Sequence, residues 1–326
     1  MSSATTVPET YELTGDDAWR TLQETGRGQL LRDAFERMRY ADGFSHSRSM
    51  AFLLSLLLVQ GTIAVVGLAS ALGSGRLSHG IVTAVHDLAP GPAGRILTQA
   101  VRQAQENGQS GRYLALTVGL VGTLVSGTTS MGQLERGLNR MYGIERDRPA
   151  LQKYGRALGL ALTVGVLLST AFLAVGFGRP IGRAIDSDLL SSLWNWVRWP
   201  AAIAMMSGGM ALLFRWCPRR RQPAWSWLLF GAGVSMLLWF AITFAMGVVF
   251  QASHSFGETY GPLAGIVALQ IWCLLSSMGI LYGGAVAAQL EAVRAGVPAP
   301  RDEQRATVAS RSGAATPSGA RAGALA

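Results

Sequence analysis

The chain has 326 residues, of which 49% are hydrophobic and only 14% charged, with a net charge of +9. A water-soluble domain carries about 25% charged residues, so the composition speaks against a soluble domain. The positive excess reads as topological charge set against anionic lipid head groups at the cytoplasmic face. No nucleic-acid partner is expected.

Residues 1–27 are polar and predict a flexible cytoplasmic N-terminus. Over 28–40 a helical stripe of Leu30, Leu31, Ala34, Phe35 and Met38 stands opposite Arg32, Asp33, Glu36, Arg37 and Arg39. That amphipathic helix either lies on the inner leaflet or packs under the bundle. A bilayer core of about 30 Å needs about 20 apolar residues, and 49–72 supplies the first span. Because 48 mostly polar residues precede it, it is expected to insert uncleaved.

The outer loop, 73–112, holds a second stripe of Ile96, Leu97, Ala100, Val101 and Ala104 after Pro92. It predicts an interfacial helix, with a lid over an outward cavity as the alternative. His79 and His86 there are too sparse for a metal site. Span two, 113–131, runs without a breaker into 132–142, predicting one long helix that protrudes into the cytoplasm and stops near Gly143.

Span three is 157–178 and span four 193–214. Trp194, Trp196 and Trp199 are expected to mark the outer rim, and Trp225 and Trp227 the inner one. Spans five and six are 225–250 and 262–284. His254, Glu258 and Tyr260 cluster at the outer mouth before span six. The tail, 296–326, is rich in Ala, Gly, Ser, Pro and Arg and reads as disordered. The expected fold is all-α and polytopic: a six-helix membrane domain over 28–295 with interfacial helices.

Basic residues set the orientation. The N-terminal arm, the loops after spans two and four, and the tail hold 21 of the 28 Lys and Arg. Basic residues near span ends stay in the cytoplasm, which puts both termini there and agrees with an even number of spans. Cys217, in an inner loop, and Cys273, within span six, are too far apart in this topology to pair.

Small residues let helices approach in lipid, where no hydrophobic drive exists between them. Span two carries Gly119, Gly122, Ser126, Ser130 and Gln133 along one face. Span five carries Gly231, Ser235, Trp239, Thr243 and Gly247, and span six Ser276, Gly279, Gly283 and Ala287. These faces should point inward, either as plain helix contacts or as a polar cavity wall. Gln60 and Gln270 are the polar residues nearest the membrane centre, and no full charge sits mid-span. That pattern disfavours a proton relay. Candidate functional positions are therefore Ser126, Ser130, Gln133, Glu135, Asn139, Ser235, Thr243, His254, Glu258, Tyr260, Gln270 and Ser276. No catalytic, cofactor or metal constellation is found: HExxH, P-loop and GxSxG patterns are all missing.

Three stretches carry a likeness. They are Thr128-Thr-Ser-Met-Gly-Gln-Leu-Glu-Arg-Gly-Leu-Asn139-Arg-Met-Tyr142, then Pro218-Arg-Arg-Arg221 leading to Trp227 and Gly231, then Tyr260-Gly261 with Trp272 and Gly283-Gly-Ala-Val-Ala-Ala-Gln-Leu-Glu291. In this order, with six spans, the sequence resembles the YihY / virulence factor BrkB family over residues 28–295. One departure is that 49–70 has neither the Tyr nor the Pro usual in that family's first span. The resemblance implies a bacterial inner-membrane protein linked to envelope integrity. It also brings an old label, ribonuclease BN, which the missing metal-binding histidines argue against. Transport of a lipid or other amphipathic molecule is the expected function. The alternative is a non-transporting scaffold that docks partners on its cytoplasmic arms. Membrane lipids are the expected partners, and a homo-oligomer is allowed.

Overall fold

Lipid offers backbone N–H and C=O groups no partner, so a spanning segment must satisfy them within itself, as a helix does. The computed structural model of the protein describes residues 4–71, 91–106, 108–176, 187–252, 254–297 and 300, and every regular element among them is a helix. In chain order these are α1 (Gly15–Thr25), α2 (Arg27–Tyr40), α3 (Gly43–Ala71), α4 (Pro92–Glu106) and α5 (Gly108–Met141). Then follow α6 (Ala150–Gly176), α7 (Asp188–Trp216), α8 (Trp225–Ala252) and α9 (His254–Arg294).

Among the described residues five helices, α3, α6, α7, α8 and α9, are long and apolar enough to cross a membrane. The expected six include a second span, 113–131, that is not one of these five. It lies on α5, where Thr117, Gly119, Gly122, Thr123, Ser126, Gly127, Thr128, Thr129 and Ser130 dilute the apolar character. Several of these hydroxyls are satisfied inside the helix. Thr123 Oγ1 donates to the Gly119 carbonyl at 2.6 Å, and Thr129 Oγ1 to that of Val125. Such back-bonding hides polarity from lipid. The fold is that of an all-α polytopic membrane protein.

The neighbour order is cyclic: α3 packs on α5, α5 on α6, α6 on α7, α7 on α8, α8 on α9, and α9 returns to α3. The outward faces are apolar and exposed, as lipid requires. Phe52, Val118, Leu162, Val166 and Phe244 are examples. Close contacts are made by glycine. A Cβ on Gly231 would lie 2.5 Å from the Gly283 carbonyl oxygen, and one on Gly119 would lie 2.7 Å from the Ala64 nitrogen. Thus α8–α9 and α3–α5 meet nearly backbone to backbone, where dispersion holds helices together.

The shorter helices dock onto this ring. On α4, Ala93 and Leu97 are buried against α9 and α3, with Ile96 over Gly265. On α2, Leu30, Ala34 and Met38 are buried, so the helix packs under the bundle, while Leu31 and Phe35 stay exposed. Trp225 is exposed with Arg215 over its ring, as an interface residue should be. Trp227 is fully buried in the core instead, which removes it from the rim. Trp216, exposed with Arg156 over its ring, takes that place. Residues 73–90 and 107 of the outer loop, the side chains of His254, Glu258 and Tyr260, and tail residues 301–326 lie outside the described residues.

The α8–α9 contact makes a clear forecast. Replacing Gly283 by Val sets a side chain against Ser235 and the Gly231 carbonyl, and overpacking of this kind costs about 1–3 kcal/mol. Gly233→Ala, where a new Cβ meets nothing within 4 Å, should be neutral. Thermal unfolding in detergent, followed by tryptophan fluorescence, separates the two.

Candidate functional site

A charge taken out of water must be paired and hydrogen-bonded or it destabilises the fold. The described residues concentrate such charges at one end of the ring, where α2, the ends of α5 and α9, and the segments 142–149 and 217–224 converge. Glu291, fully buried near the end of α9, accepts from Arg220 Nη2 at 2.5 Å and from Thr10 Oγ1 at 2.5 Å. The Arg220 guanidinium also lies over the Tyr142 ring, 4.5 Å from its centre. Arg37, fully buried on α2, donates from Nε to Gln289 at 2.7 Å and from Nη1 to the Met141 carbonyl at 3.0 Å.

A second set lies beside it. Arg148 Nη1 is 2.8 Å from Glu135 on α5 and donates to the Cys217 carbonyl at 2.9 Å. Its Nη2 donates to the Pro218 carbonyl at 2.8 Å. Asn139 Oδ1 accepts from the Arg219 amide at 2.7 Å. Asp147 pairs with Lys153 at 2.9 Å and Arg136 at 3.2 Å.

The N-terminal segment 4–14 closes this end. It was expected to be flexible, yet Ala4 and Val7 are buried, and their amides donate to the Arg140 and Tyr142 carbonyls. Gly143 makes the crossing possible. Its φ is +76°, and a Cβ there would sit 2.5 Å from the Thr6 Cα. A strap is the right description: one extended piece lies across two helix ends.

Burial decides the titration of this cluster. It pushes the Tyr142 hydroxyl up, and the nearby Glu291 charge adds to that. It pushes the Cys217 thiol up as well, with help from Glu135, so the group stays protonated. For Asp147 burial acts upward too. The Lys153 hydrogen bond and charge outweigh it and hold the carboxyl below its ordinary 3.8. The acids and bases here are matched to one another, and the arrangement acts as a plug that ties five chain segments together.

The sequence-selected residues divide into groups. Glu135 and Asn139 belong to the plug. The end of α5 does not protrude as expected: Glu135, Leu138, Asn139 and Met141 are all buried. Ser126, Ser235 and Thr243 serve helix contacts. Ser126 Oγ donates to Gln60 Oε1 at 2.7 Å across α3–α5. Across α8–α9, Ser235 Oγ donates to the Ile280 carbonyl at 3.4 Å, and Thr243 Oγ1 accepts from Trp272 Nε1 at 3.1 Å. Ser130 is buried on α5, and Gln133 and Gln270 are half-buried. Ser276 is buried on α9, and its hydroxyl has no hydrogen-bond partner among the described residues. Among the described residues no three His, Cys, Asp or Glu side chains gather as metal ligands.

Sequence reasoning missed Arg37, Arg148, Arg220, Gln289 and Glu291. A signal existed for two of them. Arg37 is in register with the buried Leu30, Ala34 and Ala41, not opposite them, and Glu291 continues the four-residue spacing of Gly279, Gly283 and Ala287.

Spanning helices in a cyclic order, closed at one end by paired buried charges, define a multi-pass all-α membrane protein. The family model described as Virulence factor BrkB matches residues 34–308, and the chain belongs to that family. A Bacillus subtilis relative, YfkH, named only as ribonuclease-like, is 24% identical over 266 residues, covering 80% of this chain and 94% of its own. A UPF0761 membrane protein of Halorhodospira halophila is 28% identical over 191 residues, covering 56% of this chain and 41% of that protein. Another, from Verminephrobacter eiseniae, is 28% identical over 207 residues, with 62% and 46% covered. The match thus covers less than half the length of these two UPF0761 proteins. No solved structure matches it.

Two outcomes follow for the plug. Arg220→Met leaves Glu291 buried without its charge partner and should cost about 3–5 kcal/mol. Adding Glu291→Gln should recover a large part, as read in a double-mutant cycle of detergent melting curves. Asp147 has a folded value below its ordinary 3.8, so its contribution is complete above pH 3.8 and is lost as pH falls through the folded value. Melting curves from pH 6 to 3 should show that acid loss, and Asp147→Asn should flatten it.

Proposed function

We propose that the protein accommodates and moves a lipid or other amphipathic envelope molecule in the bacterial cytoplasmic membrane, with both termini in the cytoplasm. The observation that carries this reading is the cyclic order of α3 and α5–α9, whose mid-membrane polar side chains are uncharged. Gln270 and the unpartnered Ser276 hydroxyl, both on α9, offer hydrogen bonds without the cost of a buried ion. An uncharged polar wall suits the neutral or zwitterionic part of an amphiphile. The orientation draws on the arginines of α2 and of segments 142–156 and 215–224, which meet at a single end of the ring.

The rival scaffold reading needs docking surfaces on the cytoplasmic arms, among them the end of α5 over 133–142. Burial of Glu135 and Asn139 weighs against that surface. We also read the chain as non-enzymatic, since the plug's acids pair with its arginines and Cys217 is held as a neutral thiol.

Reconstitution tests the proposal. Proteoliposomes with fluorescent phospholipids in both leaflets, bleached from outside, should lose signal faster with folded protein than without. Ser276→Ala, which removes the hydroxyl without adding bulk, should slow that loss several-fold while leaving the melting temperature nearly unchanged. No acceleration for phosphatidylethanolamine, phosphatidylglycerol or phosphatidylcholine overturns the reading.

A further inference from the structure

Three exposed apolar side chains stand on the two helices that precede the first span: Trp19 on α1, and Leu31 and Phe35 on α2. Each is tied to a different spanning helix on the plugged side. The Trp19 ring lies 6.4 Å from that of Phe230 on α8. The Leu31 carbonyl accepts from Tyr282 Oη on α9 at 2.8 Å, and the Phe35 ring meets Phe44 on α3 edge-on, with centres 5.8 Å apart. Phe230, Tyr282 and Phe44 all belong to stretches apolar enough to cross a membrane. Three points fix a plane, so α1 and α2 lie at the level where hydrocarbon gives way to head groups. Apolar side chains left uncovered at that level fit the acyl boundary, and a tryptophan among them is a usual interface anchor.

The charges around them match. On a helix surface residues three and four apart are neighbours, so Arg32 and Arg39, three before and four after Phe35, flank it. Both are exposed. Arg32 has no hydrogen-bond or ion-pair partner among the described residues, and Arg39 comes only within 3.8 Å of Glu36. Arg27, exposed at the start of α2, lies over the Trp19 ring, 5.8 Å from its centre. The α2 acids, Asp33 and Glu36, are half-buried, so the outward charge of the helix is positive. Arginine stems cover apolar surface while their heads reach polar groups, and forked guanidinium donors suit phosphate oxygens. The other side of α2 is already occupied. Leu30, Ala34 and Met38 are buried there, and Arg37 is bound in the plug.

We propose that α1 and α2 form a docking surface for the anionic phospholipids of the leaflet on the plugged side. Trp19, Leu31 and Phe35 are set into the acyl boundary, and Arg32 and Arg39 hold lipid phosphates. That leaflet is the cytoplasmic one in the orientation proposed above. The contact exists at equilibrium and requires no lipid to be moved, so its tests stand apart from the flipping assay.

Spin labelling of the full chain in nanodiscs containing phosphatidylglycerol tests the apolar part. Leu31→Cys and Phe35→Cys carry the nitroxide, Gln29→Cys is the exposed polar control, and labelled wild type is the blank for the two native thiols, both buried. Labels at 31 and 35 should meet oxygen several-fold more readily than a water-soluble nickel chelate, and the label at 29 should show the reverse. Native mass spectrometry of the delipidated chain tests the charged part. Phosphatidylglycerol should bind more tightly than phosphatidylcholine. Arg32→Gln and Arg39→Gln should each weaken phosphatidylglycerol about fivefold, the usual worth of one basic residue at an anionic surface, and leave phosphatidylcholine unchanged. Size-exclusion and melting profiles select the folded variants, and either label position suffices if the other fails to fold. The inference is overturned by labels at 31 and 35 that meet the nickel chelate as readily as the label at 29. It is overturned equally by unchanged phosphatidylglycerol affinity in the folded arginine variants, or by dipolar coupling between labels on two chains, which would put a second copy on this face.

Discussion

The buried pairing of Glu291 with Arg220 is the constraint on which the plugged end depends. A carboxylate with no exposed surface demands a cation, and the cation must come from elsewhere in the chain. Arg220 arrives from segment 217–224, which fixes that segment beneath α9. Thr10 supplies a second donor, which fixes the strap. Tyr142 gives Arg220 an aromatic floor, which fixes the exit of α5. One electrostatic requirement therefore sets the positions of three segments that share no secondary structure.

The rest of the molecule is held by a different force. In the lipid-facing ring neither charge nor burial from water drives association, and the helices rely on close contact. Gly231 and Gly283 bring α8 and α9 together, and Gly119 with Ala64 does the same for α5 and α3. These contacts also consume the serines and threonines that looked functional from their spacing. A hydroxyl beside a glycine on a spanning helix is as useful for gripping a neighbour as for greeting a ligand, and Ser126, Ser235 and Thr243 do the former.

Much of the architecture was legible in the sequence because hydropathy and arginine placement obey one-dimensional rules. The spans on α3, α6, α7, α8 and α9 announced themselves by length. The second, 113–131, was also read from the sequence, although on α5 small polar residues that make helix contacts dilute its apolar character. The end of α5 read as protruding because Glu135, Arg136, Asn139 and Arg140 look solvated until their partners are known. Those partners, Arg148 and Arg219, lie well along the chain, and in sequence they pass for topological charge. Trp227 shows the same limit, since an aromatic at a span end is equally suited to a rim or a core. Only Arg37 and Glu291 carried a local signal, each standing in helical register with buried neighbours.

The strap has a consequence for how the protein is made. Thr10 and Glu291 are 281 residues apart, so the early segment emerges from the ribosome long before its acceptor exists. Its Ala4 and Val7 must wait outside the bilayer while successive helices partition into it. Only when α9 has left the translocon can the strap lie down across the helix ends. Completion of that contact therefore marks the finished molecule, and a nascent chain stalled before α9 would leave the arm open to proteases that ignore the mature form.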